Sequence, residues 1–260
     1  GASKFRAKEK PWTVNFTGEL GIDAGGLARE LVVEASTSIF EPTSQLMVQV
    51  DASTKGESRL YYVPNEKALG RDSEFYTIGV VIAIIIRTGL LQDLPFAPIV
   101  WKAIAGETIT DSDVFESDRL FRESFREINN NFKNLTKLNV TTTTATNSSF
   151  AVNKTWTVDC WNGNTVGLPN RNSNAFVEPV QLIQYQRECI SFRKKSIKTM
   201  LDAMRKGFVD NTDLRSHYLM KGSLLSRLAQ GSGKITIEQM KAITEVSGFA
   251  DGKNNIYINR

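Results

Sequence analysis

The sequence predicts an α+β fold, in which a mainly helical body carries short β-hairpins and a smaller inserted α/β subdomain. Three observations predict it: apolar residues recur at helical spacing along most of the chain, two short alternating runs flank a turn-rich segment, and the composition changes near Asp111. The 260 residues, 41% of them hydrophobic, suffice for one large domain or two small ones. We expect the inserted subdomain at 112–185, between body segments 1–111 and 186–260.

The N-terminal part predicts a strand at 12–16, a helix at 27–40 and then a β-hairpin. The helix should bury one apolar stripe, made of Leu27, Leu31, Ala35 and Ile39. The segments "LMVQVD" and "RLYYV" alternate in polarity as strands do, and we expect them to pair across "ASTKGES".

The apolar run from Ile78 to Ile86 is ambiguous when read from its residues alone. Its β-branched side chains favour a buried strand, whereas a helix buried on all sides would have the same composition. The following segment, "PFAPIVWKAIAGE", predicts a short helix, because its prolines stand near the start, where their missing N–H group does no harm.

The inserted stretch predicts a mixture of helix, loop and strand. "DSDVFESDRLFRESFREINNNF" predicts one helix with an acidic start, and "KLNVTTTTATNSSF" predicts a loop or an irregular arm. "KTWTVDCW" alternates like a strand, and "NGNTVGLPNRNSN" is typical of a long turn region. We expect helices to follow at 180–208, 218–230 and 237–247.

Charge and cysteine content argue against several classes of protein. The net charge of +4 is small for a nucleic-acid-binding protein, and the basic run "FRKKSIK" predicts a solvated helix face. Cys160 and Cys189 do not make a disulfide framework, so we expect a reducing compartment, the cytoplasm or the nucleus. The start "GASKFRAKEK" lacks a signal-peptide pattern, and the Ile78–Ile86 run is too short to cross a bilayer. We therefore expect no nucleic-acid partner, no membrane partner, no cofactor and no metal.

The turn from Gly21 to Gly26 has the layout of a phosphate-binding loop, a strand followed by glycines and a helix. It lacks the spacing of either common nucleotide motif and has no lysine, and Glu19 and Asp23 would repel a phosphate. Asp23 fits better as a helix cap. A nucleotide-binding α/β enzyme that uses this turn stays as an alternative, as does a non-enzymatic interaction module.

Several segments, read in order, resemble one protein family. "FTGELGIDAGGLARE" resembles the signature near the start of a HECT domain, the catalytic module of one class of ubiquitin ligases. "YYVPN", "EFYTIGVVIAIIIRTGLLQDLPFAPIVWKAIAGE", "TDSDVFESD", "MLDAMRKGF" and "GSGKITIEQMKAITEVSGF" follow in the family's order. The resemblance covers about 12–258 and implies that the ambiguous run at Ile78–Ile86 is a buried helix.

The resemblance implies a two-lobed transferase of which this chain is the N-terminal lobe. In such proteins the N-terminal lobe docks a ubiquitin-conjugating enzyme, and a cysteine of the C-terminal lobe accepts ubiquitin as a thioester. We expect that lobe and its cysteine to lie outside this chain, and the chain alone to be inactive. Neither Cys160 nor Cys189 matches the catalytic position, and the single histidine, His217, is expected to be structural or at the surface.

Five residues are implied as the docking site for the conjugating enzyme. Phe121, Phe125 and Ile128 fall on one stripe of the predicted helix, and family position places them on the floor of a hydrophobic groove. Trp156 and Tyr185 correspond to its walls. We expect Phe121, Phe125 and Ile128 to lie open to solvent.

Two further partner interactions follow from the resemblance. Some family members hold a second ubiquitin through an aromatic residue for which this chain has Ser58, which places that interaction in doubt. Substrate proteins are selected through regions outside this module.

Overall fold

The computed structural model describes residues 26–51, 60–137, 154–212 and 220–231. These ranges are mostly helical and contain two short antiparallel pairs of strands, which confirms the predicted α+β class. The elements are α1 (Gly26–Ser38), β1 (Met47–Asp51), β2 (Leu60–Pro64), α2 (Asp72–Thr88), α3 (Pro98–Ala105), α4 (Asp111–Ser117), α5 (Arg119–Lys137), β3 (Thr157–Asp159), β4 (Thr165–Gly167), α6 (Leu182–Ser196), α7 (Lys198–Asp210) and α8 (Gly222–Gln230).

Both described sheets are two-stranded antiparallel hairpins. β1 pairs with β2, with Val48 opposite Val63, so the predicted pairing of "LMVQVD" with "RLYYV" is confirmed. β3 pairs with β4, with Val158 opposite Val166. β3 lies in the segment predicted as a strand, whereas β4 lies in the segment predicted as a long turn region. Neither hairpin could be stable by itself, and each depends on the helices that cover it.

The body is built around the contact between α2 and α7. α2 contains the ambiguous apolar run, so the helix implied by the family resemblance is confirmed and the local preference for strand is overridden. Phe75, Ile78, Ile82 and Ile85 are buried at helical spacing, and the helix ends at Gly89, which has φ of +69°. α3 and α8 pack on the same core, and α3 begins at Pro98 as predicted.

Two glycines let α2 and α7 approach at backbone distance. A Cβ built on Gly79 would come within 2.0 Å of the Met204 carbonyl oxygen, and one on Gly207 within 1.9 Å of the Tyr76 carbonyl oxygen. Each glycine therefore faces the backbone of the other helix, and no larger residue fits at either position without moving one of the helices.

Two predicted helices are divided in the structure. The predicted helix that begins near Asp111 is α4 followed by α5, because Asp118 has extended dihedrals (φ −142°, ψ 107°) and its carboxylate accepts from the Phe121 N–H at 3.0 Å. α4 has its own capping box between Thr110 and Asp113. The predicted helix 180–208 is α6 followed by α7, with Ile197 between them, and α7 continues through Gly207 to Asp210.

Two predictions about which side chains are buried were wrong. On α1, Val32 is buried whereas Leu31 is 42% exposed, so the predicted stripe is rotated by one position near its start; Ile39, just after the helix, is buried as predicted. Within "FRKKSIK", predicted as a solvated face, Arg193 is buried at 1% exposure.

Several predictions fall outside the described residues. These are the strand at 12–16, the turn up to residue 25, Ser58, the Asn/Thr-rich arm, His217 and the helix at 237–247. Within the described ranges, none of the helices is both long enough and apolar enough to cross a bilayer. The subdomain boundaries at 112 and 185 stay a prediction.

Candidate functional site

The five predicted docking residues lie in one part of the molecule. α6 packs on the β3–β4 hairpin and contacts α5 through Phe125–Tyr185 and Asn129–Gln186, and we call residues 119–137 and 155–196 the α5–α6 module. α5 also contacts β1 of the body, while α4 packs on α3 and on α6, so α4 forms the joint between the module and the body.

Four of the five predicted residues form a continuous row of aromatic rings. The centroids of Phe121 and Phe125 are 4.6 Å apart, and Phe125 lies parallel to Tyr185 at 6.4 Å. Tyr185 then meets Trp156 edge-on at 5.9 Å. Phe115 of α4 extends the row at its other end, since its ring stacks on Phe121 at 5.8 Å. We call these five rings the aromatic row.

The expectation that Phe121, Phe125 and Ile128 are open to solvent was wrong. They are 5%, 6% and 6% exposed, and Trp156 and Tyr185 are both 4% exposed. Each ring is covered by the next ring in the row, and Ile128 belongs to the same continuous core cluster. Helical spacing correctly placed Phe121, Phe125 and Ile128 on one face of α5, but that face packs inward against α6 and the hairpin.

Polar contacts hold the far end of the aromatic row. The Tyr185 hydroxyl donates to the Thr157 carbonyl oxygen at 2.9 Å, and burial raises the pKa of this phenol. The Arg171 guanidinium lies 4.2 Å from the centre of the Trp156 ring, and Arg171 donates to both carboxylate oxygens of Glu188, at 3.0 and 2.5 Å. Polar contacts therefore fix the Tyr185–Trp156 end of the row.

The module exposes apolar side chains that the sequence analysis did not select. Phe176, Val180 and Ile183 are 66%, 86% and 64% exposed, and we call 176–183 the exposed segment. Phe176 lies beside Thr155 at the edge of the hairpin, and Ile183 is the second residue of α6. Helical spacing could have predicted the exposure of Ile183. Leu182 and Tyr185 lie on the buried face of α6, and Ile183 lies outside that face.

Two clefts border the module. One, of about 480 Å³, lies between β1, the start of α5 and the β3–β4 turn, and its lining includes Phe121, Cys160 and Arg193. The other, of about 530 Å³, lies between α6 and the segment after β4, and its lining includes Leu168 and Phe192. Both clefts mix charged and apolar walls, and Asp51, Asp118 and Asp159 line the first.

Both cysteines are poorly placed for nucleophilic chemistry. Cys160 is 7% exposed and Cys189 is fully buried. Burial raises the pKa of the Cys160 thiol, and burial raises the pKa of Cys189 to about 12. Thiolates, not thiols, attack thioesters, so neither group is activated. Within the described ranges, no cluster of three or more histidine, cysteine or acidic side chains could hold a metal ion.

Comparison with known proteins gives one family. The family model described as HECT-domain (ubiquitin-transferase) matches residues 33–259. That range includes all of the α5–α6 module and nearly all of the body.

Curated relatives carry the name of E3 ubiquitin-protein ligase. The human E3 ubiquitin-protein ligase HERC2 is 25% identical over 254 residues, which are 96% of this chain and 5% of the relative. The probable E3 ubiquitin-protein ligase HUL4 of Eremothecium gossypii is 24% identical over 95% of this chain and 30% of its own length. The E3 ubiquitin-protein ligase ptr1 of Schizosaccharomyces pombe is 24% identical over 91% of this chain and 7% of its length. The chain thus spans less than a third of each of these relatives.

Proposed function

Because the chain belongs to the HECT-domain family, we propose that it is the N-terminal lobe of a ubiquitin-protein ligase and recruits a ubiquitin-conjugating enzyme. The relatives that support this carry the name of E3 ubiquitin-protein ligase. On this proposal the parent protein is a ubiquitin transferase, and the 260 residues supply recruitment, not the chemical step.

The observation that carries the recruitment proposal is the exposed segment on the α5–α6 module. Large apolar side chains at 64% to 86% exposure are unfavourable in water unless a partner covers them. Two members of the aromatic row are close to this segment: the Trp156 backbone N–H donates to the Ala175 carbonyl oxygen at 3.2 Å, and Tyr185 lies on the same helix as Ile183. We propose that the conjugating enzyme contacts Phe176, Val180 and Ile183, and that the aromatic row supports this surface from below.

This assignment changes the part played by the five residues selected from sequence. Phe121, Phe125, Ile128, Trp156 and Tyr185 act as the floor of the docking surface, and the direct contacts are made by the exposed segment. A small surface with a few apolar anchors gives binding on the order of micromolar. Weak binding is suitable here, since a spent conjugating enzyme has to leave before a charged one binds.

The cysteine that accepts ubiquitin is proposed to lie outside these residues, because Cys160 and Cys189 are buried and their pKa values are raised. Substrate proteins are proposed to bind elsewhere in the parent protein. A second ubiquitin on this chain has no support from the described residues, since Ser58 lies outside them.

A titration with a panel of ubiquitin-conjugating enzymes tests the proposal. We expect at least one enzyme to bind the wild-type chain with a Kd on the order of micromolar. Ile183→Asp should raise that Kd roughly tenfold or more, because it places a charge in a desolvated apolar contact. The matched control is Leu69→Asp, since Leu69 is 63% exposed but lies between β2 and α2, outside the residues of the module.

Two outcomes would overturn this assignment. Saturable binding to none of the panel, at concentrations up to about a millimolar, would remove the recruitment function. An equal loss of affinity in Ile183→Asp and Leu69→Asp would remove the exposed segment as its location. In a reaction with activating enzyme, conjugating enzyme and ubiquitin, we expect no reducible ubiquitin adduct on Cys160 or Cys189.

A further inference from the structure

Arg193 is a charged side chain that is almost fully buried. It lies on α6 at 1% exposure and forms an ion pair with Asp118, the residue between α4 and α5. Its guanidinium carbon lies 4.3 Å from the ring centres of both Phe121 and Trp161. The planar group is therefore held between two aromatic faces, one from α5 and one from the hairpin turn.

The backbone and neighbours of Arg193 extend this arrangement to the body. The Trp161 indole N–H donates to the Arg193 carbonyl oxygen at 3.0 Å, and the Trp161 backbone N–H donates to Glu66 Oε1 at 2.8 Å. Ser196 Oγ donates to the same Glu66 oxygen at 3.3 Å. Glu66 stands just after β2, so one network joins the hairpin turn, α6 and the body.

The Arg193–Asp118 ion pair is not explained by a contribution to folding stability alone. A buried ion pair is often no more stabilising than apolar residues of the same volume, because both charges lose their hydration. Within the described part of the chain, Nε and Nη1 of Arg193 are buried without a hydrogen-bond partner, so the desolvation of this charge is only partly offset. The pair does restrict direction, because one carboxylate and two aromatic rings together hold the guanidinium in a fixed orientation.

We propose that Arg193 is a positioning residue, which fixes the orientation of the α5–α6 module relative to the body of the molecule. The inference rests on the proposed function, in which the module carries the conjugating enzyme. Transfer of ubiquitin between two proteins requires the thioester carbonyl and the attacking sulfur to meet in one geometry. A module that changes its orientation on the body would still bind the conjugating enzyme, but it would hold the thioester away from that geometry for part of the time.

The test measures orientation directly, by pulsed electron spin resonance between two spin labels. One label is placed at Glu127→Cys on the exposed face of α5, and the other at Ser73→Cys on the exposed start of α2. The chain without introduced cysteines should take up no label, because Cys160 and Cys189 are buried. The wild-type background is expected to give one narrow distance distribution.

Arg193→Lys is the first variant, because it keeps the charge but removes the planar group that both rings hold. We expect its distance distribution to be roughly twice as wide as that of the wild type. Arg193→Met combined with Asp118→Asn is the second variant, which removes both charges and keeps a capping side chain at the start of α5. We expect a melting temperature near that of the wild type and a distribution that is still broad.

Arg119→Met serves as the control, since it removes a partly buried ion pair with Asp51 across the same junction, one that is not enclosed by aromatic rings, and should leave the distribution narrow. A narrow distribution in Arg193→Lys, or in a stable double variant, would show that Arg193 is structural only and overturn the proposal.

The affinity for the conjugating enzyme separates this inference from the proposed function. Arg193→Lys should change that Kd less than roughly threefold, because the exposed segment is untouched. A change above tenfold would place Arg193 in the docking surface and overturn a positioning role. If the wild-type chain binds no conjugating enzyme, recruitment fails, while the distance distributions still decide whether Arg193 orients the module.

Discussion

The body and the α5–α6 module are held together by different kinds of contact. In the body, α2 and α7 meet through backbone at Gly79 and Gly207, and a separate group of aromatic rings packs elsewhere in its core: Phe40, Tyr62, Phe96 and Trp101. In the module, aromatic rings meet edge to face and parallel, and two arginines, Arg171 and Arg193, lie on their faces. Because its helices touch through backbone, the body should be destabilised by substitutions that add volume. The module should be destabilised by substitutions that remove an aromatic ring or a guanidinium group.

This difference corresponds to the separate roles proposed for the two regions. A close-packed helix pair is a stiff support with few alternative arrangements. Aromatic faces and guanidinium groups have preferred directions, so they can set the angle of one element against another. A recruitment device needs both properties, since its docking surface has to be held at a fixed place on a rigid support.

The largest effect is expected from Phe125→Ala, which removes the ring at the centre of the aromatic row. Because Phe125 is 6% exposed and touches Phe115, Phe121 and Tyr185, the substitution should lower the free energy of unfolding by about 3 to 5 kcal/mol. Urea denaturation monitored by circular dichroism measures it. The control is Leu120→Ala on the same helix, which is 65% exposed and should change stability by less than about 0.5 kcal/mol.

A loss below about 1 kcal/mol for Phe125→Ala would mean that the ring is not part of the core, and the distinction between a buried floor and an exposed docking segment would fail. A full loss of conjugating-enzyme binding in a variant that stays folded would instead return Phe125 to the contact surface.

The sequence was sufficient to predict the stripe of α5 but not its environment. Phe121, Phe125 and Ile128 were assigned to one face because helical spacing is a local property. Whether that face is covered depends on Tyr185 and Trp156, which lie far along the chain in another helix and beside another strand. No periodicity within the helix contains that information, so the predicted exposure was wrong, although the four aromatic residues do lie next to one another.

A smaller effect, on the body, is expected from Gly207→Ala. The added methyl group would overlap the Tyr76 carbonyl oxygen, so α2 and α7 have to separate, at a cost of about 2 to 3 kcal/mol. Gly26→Ala is the matched control, because a Cβ there meets nothing within 4 Å and alanine favours helix. Thermal unfolding of both variants checks this, and an unchanged melting temperature for Gly207→Ala would mean that the two helices are not in backbone contact.

The buried helix α2 shows where a family resemblance adds to local reasoning. Its β-branched residues favour a strand when read alone, and periodicity cannot distinguish a strand from a helix buried on all sides. The decisive contacts are made with α7, more than a hundred residues later in the chain. In the same way, the sequence places Arg193 in a basic run that predicts a solvated helix face. Nothing near Arg193 in the sequence indicates that Asp118 and two aromatic rings enclose it.

The smallest expected effect concerns α4, the joint between the two regions, and it depends on pH. Asp113 is buried, which opposes its ionisation, but its ion pair with Lys102 and its hydrogen bonds from the N–H and hydroxyl of Thr110 outweigh this and lower its pKa. The pKa in the folded state is thus below the unfolded value of about 3.9. The carboxylate therefore contributes stability above that value, and the contribution is lost as the pH falls through the folded pKa.

Asp113→Asn should remove this contribution, about 1 to 2 kcal/mol at neutral pH, and the difference in unfolding free energy from the wild type should shrink as the pH is lowered below about 4. Urea denaturation at a series of pH values gives that difference curve, and Lys102→Met should move its decline towards higher pH, because the partner that lowers the carboxyl pKa is gone. A difference that stays constant from neutral to strongly acidic pH would contradict the ion pair. Since α4 contacts α3 on one side and α5 and α6 on the other, a confirmed curve would also show that the joint keeps its charged contact in solution, and that the module is attached to the body by polar contacts as well as by packing.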